Sequence, residues 1–214
     1  MRMRRKPNLK SRVELCKDWL VAEPENLKGR WHETFGYDEL FLELGCGKGL
    51  FTVGTAQNVP DKLFIALEKI TNVLVIALER AEQSKSSNVR YINKLADYLT
   101  DYFEQDEVSR IYINFCDPWP ANRHKRRRLT GQLFLKMYKQ VLCSDGEIHF
   151  KTDNLPLFEF SLEEFERCNF VLSEISYNLH ENGVVGVMTD YEAKFHEQGM
   201  PIYRCVAMNG RMDR

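Results

Sequence analysis

The chain has 214 residues, of which 43% are hydrophobic and 29% charged, with 30 basic and 31 acidic side chains. This length and composition favour a single soluble domain, residues 1–214, with a sizeable core. No apolar stretch approaches the roughly 20 residues of a membrane span. Six cysteines lie scattered, with no C-x-x-C pair and no zinc spacing. We therefore expect reduced thiols, a cytoplasmic location and no metal site.

The net charge of −1 conceals two basic segments. Residues 1–13 carry six basic side chains and residues 122–128 carry five, and neither segment contains an acid. The rest of the chain holds 19 basic and 31 acidic residues. Two dense basic segments on an acidic body predict a docking face for a polyanion. For the N-terminal arm, a merely solvated charged surface is an equal alternative.

Strands and helices are predicted to alternate after a basic N-terminal arm and helix at residues 1–38. A short apolar strand ends at Leu44, and a second covers Leu63–Leu67. Helices are predicted over residues 72–83, 129–142 and 157–168. Further strands are predicted over residues 89–92, 110–116, 146–151, 170–176 and 202–208, the third of these entered from a turn at 144–146. This order indicates an α/β fold with a mostly parallel sheet and helices on both faces.

A glycine-rich turn follows the first strand, in residues 42–49 (LELGCGKG). Glu43 precedes three glycines at alternate positions, Gly45, Gly47 and Gly49. A dinucleotide fingerprint would carry its third glycine at Leu50. The spacing therefore favours a nucleoside cofactor without phosphates, of which S-adenosylmethionine is the common one. A dehydrogenase is disfavoured by Leu50, and a turn that binds nothing is the plain alternative.

Glu68 ends the second strand, about 20 residues after the turn. An acid at this place in a Rossmann-like sheet takes the ribose hydroxyls of the cofactor. The alternative is a strand-end carboxylate in a surface ion pair. Turn and acid together strengthen the cofactor interpretation.

The strand over residues 110–116 ends in Asp117-Pro118-Trp119-Pro120. Ligands of open α/β sheets bind outside the carboxyl ends of the strands, so Asp117 should share an edge with the glycine turn. The indole of Trp119 offers a face for stacking a base, and arginines follow at once. The pattern predicts a site that takes a base from a nucleic acid, against the alternative of a rigid turn with a buried indole.

These motifs resemble those of the bacterial tRNA (guanine-N7)-methyltransferases, and the resemblance covers nearly the whole chain. It is carried by residues 1–7 (MRMRRKP), 28–32 (KGRWH), 42–49, 115–120 (FCDPWP), 123–130 (RHKRRRLT), 150–154 (FKTDN) and 189–195 (TDYEAKF). It implies a Rossmann-like class I methyltransferase fold with a seven-stranded sheet, S-adenosyl-L-methionine as cofactor, and methylation of a guanosine in the tRNA variable loop.

The resemblance also implies roles for individual residues. Glu43, Glu68 and Asp117 match cofactor-binding acids, and Asp117 also matches the proposed catalytic residue. Leu95 stands where the family has an acid for the adenine, and Ala121 where it has a substrate-binding lysine. The substrate-binding positions are matched by Ala121, Arg123, His124, Lys125, Arg126, Arg127, Arg128, Asp153, Thr189, Asp190, Tyr191 and Glu192. Read alone, Thr189 and Glu192 form a helix capping box, and Asp153 a strand-end turn residue.

Guanine N7 carries a lone pair and no proton, so its methylation needs no general base and no metal. The chain's task is to position the base and to stabilise the cationic product ring. Two alternatives stay open from the sequence. One is an amino-group methyltransferase on another nucleic acid or a protein. The other is a non-catalytic tRNA-binding protein of the same fold. Monomer and homodimer are both compatible with the sequence.

Overall fold

A computed structural model describes residues 6–210. Its seven strands are β1 (Leu40–Leu44), β2 (Leu63–Leu67), β3 (Val89–Ile92), β4 (Val108–Asn114), β5 (Leu142–Thr152), β6 (Phe170–Ser176) and β7 (Tyr203–Asn209). They form one sheet in the order β3-β2-β1-β4-β5-β7-β6. The first five strands of this order pair in parallel, and β7 pairs antiparallel with both β5 and β6. The predicted mostly parallel, seven-stranded sheet is confirmed.

Helices connect these strands. They are α1 (Leu9–Leu15), α2 (Trp31–Phe35), α3 (Leu50–Asn58), α4 (Thr71–Ser84), α5 (Leu99–Tyr102), α6 (Gln132–Val141), α7 (Leu155–Arg167) and α8 (Asp190–Glu197). Short 3-10 turns lie at Lys17–Trp19, Pro24–Leu27, Ala96–Tyr98 and Asn122–Arg127. In the part of the chain from residue 6 to 210, no helix is long and apolar enough to cross a membrane.

The sheet is covered on both faces, as predicted. Every residue of β1 and β2 is buried, which explains why both strands are nearly continuous apolar runs. On one face, Phe41, Phe64 and Tyr112 pack against residues of α3 and α4. On the other face, the alternate strand residues pack against α5, α6 and α7. The two layers leave the carboxyl ends of the parallel strands as the open edge of the sheet.

Two differences from the sequence prediction have identifiable causes, one in the local backbone and one in strand pairing. The strand predicted to reach residue 116 ends at Asn114, because Phe115 adopts a left-handed backbone with φ of 53°. The turn predicted at residues 144–146 is wrong. Those residues belong to β5, where a register shift takes the pairing from Val108↔Leu142 to Arg110↔Glu147. The additional residues are accommodated as a bulge inside the strand.

The segment before β1 packs onto the sheet layers. The Arg12 guanidinium of α1 donates to both carboxylate oxygens of Glu79 in α4, at 2.6 and 2.7 Å. Trp19 donates its indole N–H to the carbonyl of Ser86. Residues 1–5, which carry three of the predicted basic side chains, lie outside the described residues.

Candidate active site

A cleft of about 1650 Å³ opens at the carboxyl edge of the parallel strands. It is lined by the turn after β1, the segments that follow β2 and β4, and the two residues between β5 and α7. The structure brings nine of the predicted site residues into it: Gly45, Gly47, Glu68, Leu95, Asp117, Arg126, Arg127, Asp153 and Tyr191. Trp119 also lines this cleft. The motifs read separately along the sequence therefore share one site.

The glycine-rich turn is shaped by left-handed backbone conformations. Gly45, Gly47 and Gly49 have φ of 77°, 59° and 75°, which disfavour residues that carry a Cβ. A Cβ added at Gly45 or Gly47 would meet no described atom within 4 Å, so both glycines leave open space for a ligand. A Cβ at Gly49 would lie 2.7 Å from that of Ala77. Gly49 therefore does not line the cleft; it permits close packing of α3 on α4.

Glu68 lines the cleft beside the glycine turn. Its carboxylate accepts hydrogen bonds from the backbone N–H of Ile70 at 2.8 Å and of Gly47 at 3.3 Å. The bond to Gly47 ties the end of β2 to the glycine turn. Burial raises the pKa of Glu68, against the effect of the two backbone N–H groups. A carboxylate fixed in this way still has lone pairs for the hydroxyls of a ribose.

Glu43 lies beneath the turn and outside the cleft, although the sequence placed it in the cofactor site. It is 1% exposed. Thr52 donates its hydroxyl to one carboxylate oxygen at 2.5 Å, and the Asn114 amide donates to the other at 3.2 Å. Burial raises the pKa of Glu43 to about 7, and the two donors oppose that rise. The carboxylate joins β1, α3 and β4 directly below the site.

The Asp117-Pro118-Trp119-Pro120 loop is held in an unusual backbone. Phe115 and Trp119 have φ of 53° and 41°, which are costly for aromatic residues. Arg128 secures this loop. It donates to the carbonyls of Pro118 at 3.0 Å and Trp119 at 3.1 Å, and its guanidinium lies 4.2 Å from the centre of the Phe160 ring. Backbone strain of this kind persists where surrounding contacts determine it, often at functional sites.

Arg128 therefore departs from its predicted role as an RNA contact. It is 8% exposed, and its donors are directed at the loop carbonyls. The other residues of the basic run face outward. Arg123, Lys125, Arg126 and Arg127 are exposed, and His124 is half-buried. Arg126 and Arg127 reach the cleft, and the Arg127 guanidinium lies 4.9 Å from the centre of the Trp119 ring.

Helix α8 borders the cleft and is fastened by ion pairs that the sequence did not reveal. Arg80 of α4 donates to both carboxylate oxygens of Asp190, at 2.8 and 3.0 Å, and to the carbonyl of Lys48 in the glycine turn, at 3.0 Å. One guanidinium thus contacts the cofactor turn and the first residue of α8. In the sequence, Arg80 stands out as a charged residue on an apolar helix face. Its partner could not be identified there, because Asp190 lies 110 residues further along the chain.

Glu192 is buried at the base of α8. It completes the predicted capping box with Thr189, which is confirmed. Lys151 of β5 donates to its Oε2 at 2.7 Å, and His180 lies 3.0 Å from its Oε1. Val185 donates its N–H to His180 Nδ1, so Nε2 carries the ring proton and donates to Glu192. With both oxygens engaged and no exposed surface, Glu192 holds α8 in place and does not face the cleft.

The chain departs from the family pattern at Leu95 and Ala121, and of these two residues Leu95 alone lines the cleft. Leu95 is 42% exposed and lines the cleft just before the 3-10 turn Ala96–Tyr98. An apolar side chain there can cover a flat ring but cannot accept a hydrogen bond. Ala121 is exposed before the turn Asn122–Arg127 and lies outside the cleft lining of the described chain. Within residues 6–210, no group of three or more His, Cys, Asp and Glu could hold a metal ion.

The seven-stranded, mostly parallel sheet, with a glycine turn, a strand-end acid and a cleft at its carboxyl edge, has the architecture of a class I S-adenosylmethionine-dependent methyltransferase. A family described as putative methyltransferases matches residues 38–205. A tRNA (guanine-N(7)-)-methyltransferase of Geobacillus thermodenitrificans is 45% identical over 210 residues, 97% of each chain. That of Bacillus subtilis is 44% identical over 206 residues, 95% of this chain and 97% of its own. The chain belongs to the tRNA (guanine-N7)-methyltransferase family.

Solved structures agree on the fold. The 16S rRNA methyltransferase KamB superposes with a TM-score of 0.64 at 16% identity, covering 84% of this chain and 92% of its own. At that identity the likeness concerns the fold alone. It places the seven-stranded sheet and its flanking helices among known methyltransferases.

Proposed function

We propose that this protein methylates N7 of a guanosine in tRNA, with S-adenosyl-L-methionine as the methyl donor. The target is a guanosine of the variable loop. One observation carries the proposal: the glycine turn and Glu68, which suit a nucleoside cofactor, share a single cleft with Asp117, Trp119 and the basic residues Arg126 and Arg127. Family membership at 45% identity over nearly the full length supports the substrate.

The residues present fit the cofactor. The open space at Gly45 and Gly47 lets a ligand approach the backbone, and Glu68 is directed into the cleft with free lone pairs for a ribose diol. Leu95 provides an apolar surface for the adenine ring. When bound, the cofactor supplies an electrophilic methyl group on a positively charged sulfur. Glu43 contributes indirectly, since it fixes the strand and helix that carry the turn.

Asp117 is the acid that lies in the cleft two residues before Trp119. Guanine N7 has no proton to lose, so Asp117 is not required as a base. Its carboxylate is exposed to the cleft on a rigid, strained loop. A fixed negative charge beside a ring that becomes cationic lowers the barrier without reorganisation during the reaction. Asp117 therefore orients the guanine and stabilises the charge that it acquires.

The outward-facing basic residues supply the contacts to tRNA. Arg123, Lys125 and Arg126 are exposed beside the cleft, and arginine binds phosphate through two parallel hydrogen bonds. Asp153, between β5 and α7, and Tyr191, on α8, also line the cleft. A tRNA substrate would place the reaction in the cytoplasm of a bacterial cell.

The test is methyl transfer from labelled S-adenosylmethionine to unmodified tRNA, followed by nucleoside analysis. We expect 7-methylguanosine as the product. Asp117→Asn should lower turnover by roughly 10²-fold, the scale for loss of one preorganised electrostatic group. Its tRNA affinity should change little, because phosphate contacts dominate that affinity. Asp101→Asn, an exposed aspartate of α5 outside the cleft lining, is the matched control.

Each alternative function has a distinct outcome in this experiment. A methylated exocyclic amine would identify an amino-group methyltransferase. Binding of tRNA without transfer would identify a non-catalytic member of the fold. Full activity of Asp117→Asn with 7-methylguanosine as product would keep the function and remove Asp117 from the mechanism.

A further inference from the structure

We propose that the indole face of Trp119 is a cation site that stabilises the positive charge guanine acquires on N7 methylation, and that Arg127 occupies this face until the base arrives. The inference rests on the proposed function and adds a catalytic residue to it. Trp119 lies two residues after Asp117 and lines the same cleft. The two side chains would act on the same ring, Asp117 through a hydrogen bond or charge and Trp119 through its π face.

The backbone around Trp119 fixes the direction of its ring. Its φ of 41° is strained, and its carbonyl accepts a hydrogen bond from the buried Arg128. His124 packs edge-on against the indole, with ring centres 5.6 Å apart and an interplanar angle of 88°. A side chain secured from both its backbone and its edge presents one face in a constant orientation. Such a face is suited to a ligand that must be aligned for in-line methyl transfer.

A planar cation already lies on this face. The central carbon of the Arg127 guanidinium is 4.9 Å from the centre of the Trp119 ring, within the range of a cation–π interaction, and tryptophan is the strongest partner for one. Guanidinium and N7-methylated guanine are both flat, delocalised cations. The indole face therefore has the shape and the electrostatic character needed for the product ring.

Arg127 can leave this face at little cost. It is exposed, and within residues 6–210 no ion pair or side-chain hydrogen bond engages it. A single cation–π contact at an exposed site is weak. The neighbouring Arg128, by contrast, is buried and held by two carbonyls. When guanine enters, the Arg127 guanidinium is free to move onto a phosphate of the same RNA.

The charge balance of the reaction explains why the face matters for rate. The N7 lone pair forms the new bond to the methyl group, and the donor sulfur keeps the electron pair of the bond that breaks. The positive charge passes from sulfur to the guanine ring, and no proton is transferred. Guanine is neutral before the step and cationic after it, so a cation–π contact strengthens along the reaction. An interaction that is stronger in the transition state than in the ground state accelerates the step.

The test is a series of site-specifically incorporated fluorotryptophans at position 119, with one to four ring fluorines. Fluorination withdraws electron density from the ring face while nearly preserving its shape. We expect the single-turnover rate at saturating tRNA and cofactor to fall progressively along the series, reaching roughly tenfold, the range of a desolvated cation–π contact. The tRNA dissociation constant should stay within about twofold, since the ring meets a neutral base in the ground state. Fluorinated Trp31, which is fully buried against Phe103 and donates to the Tyr102 carbonyl, is the matched control and should keep the wild-type rate.

A second readout does not depend on activity. Wild-type protein should bind 7-methylguanosine more tightly than guanosine, and that preference should shrink along the same fluorinated series. A rate that is equal across the series, with 7-methylguanosine still the product, would overturn the role of Trp119 and leave the proposed function intact. A loss of tRNA affinity with an unchanged single-turnover rate would also overturn it, because Trp119 would then only dock the RNA.

Discussion

The buried Glu43 shows how a single residue supports the site from below. Its carboxylate accepts from Thr52 and Asn114, and Lys151 lies close enough to affect its ionisation. The largest influence is burial, which raises the pKa of Glu43 to about 7. A group of this kind keeps the folded protein sensitive to pH up to about pH 7, where ordinary carboxyls are fully ionised.

We predict that Glu43 makes the folded state less stable as pH rises from about 4.5 to about 7. The folded protein keeps a proton on Glu43 in that window and the unfolded chain releases it, so folding binds a proton. The free energy of unfolding then falls by at most about 1.4 kcal/mol per pH unit, or about 3 kcal/mol over the window. Below about pH 4.5 and above about pH 7 its contribution is constant.

Chemical denaturation of wild type and Glu43→Gln at several pH values checks this prediction. The other titrating groups are common to both proteins, so the difference isolates Glu43. The variant should gain about 3 kcal/mol relative to wild type between pH 4.5 and pH 7 and then level off. A difference that stays constant across this range would contradict a raised pKa for Glu43.

The location of several candidate site residues could be predicted from the sequence because it depends on their position at the ends of strands. Glu68 and Asp117 follow strands, and parallel strands end at a common edge. The separate roles of Arg127 and Arg128 could not be predicted. Both are arginines in one basic run, and only the folded loop places the Pro118 and Trp119 carbonyls within reach of Arg128.

At the scale of elements, apolar runs and intervening helices predicted all seven strands. The strand order and the antiparallel insertion of β7 between β5 and β6 depend on long-range pairing that a single sequence does not display. The prediction of a turn at residues 144–146 (Ser-Asp-Gly) was wrong for the same reason. These residues favour a turn locally, but pairing with β4 keeps them in β5 as a bulge.

The contacts that anchor α8 to α4 give a prediction about how helices support the site. Arg80 joins α4, the glycine turn and the first residue of α8. We expect Arg80→Ala to weaken cofactor binding severalfold and to raise the KM for tRNA. The substitution removes the hydrogen bond to the glycine turn and the ion pair to α8 together. Its stability should fall by no more than about 1 kcal/mol, as for other partly exposed ion pairs.

Arg12→Ala is the matched control for this variant. Arg12 of α1 forms a bidentate ion pair with Glu79, which lies on α4 next to Arg80. The side chains of Arg12 and Arg80 are exposed to a similar extent. We expect Arg12→Ala to lose a comparable amount of stability without affecting cofactor affinity. Calorimetric titration of the cofactor and steady-state kinetics with tRNA separate the two variants. Equal effects of both variants on cofactor affinity would show that α4 acts only through its overall stability.

At the scale of the whole molecule, one described residue of the N-terminal basic segment meets the second basic segment at the cleft. Lys6, before α1, and Arg126, after β4, line the same cleft although 120 residues separate them. Some acidic residues pair with basic ones, as Glu79 does with Arg12. The acids Glu68, Asp97, Asp117 and Asp153 line the cleft itself, so the attraction for a polyanion comes from the exposed arginines beside it. This arrangement directs a polyanion towards the cofactor edge.

We predict that this convergence is visible in the salt dependence of tRNA binding. Arg123→Ala combined with Arg126→Ala removes two exposed charges beside the cleft. Each phosphate contact that is lost should lower the slope of log K against log salt by about 0.7 to 0.9, because fewer counterions are released. Arg30→Ala combined with Arg167→Ala removes the same charge from the opposite side. Arg30 lies near Glu107, just before β4, and Arg167 ends α7, about 18 Å along the helix from the cleft. In titrations from low to physiological salt, we expect the Arg123/Arg126 double variant to reduce the slope and weaken binding. The Arg30/Arg167 double variant should leave the slope unchanged.

Equal reductions for both double variants would mean that tRNA responds to the overall charge of the protein. An unchanged slope for both would place the phosphate contacts away from residues 123 and 126.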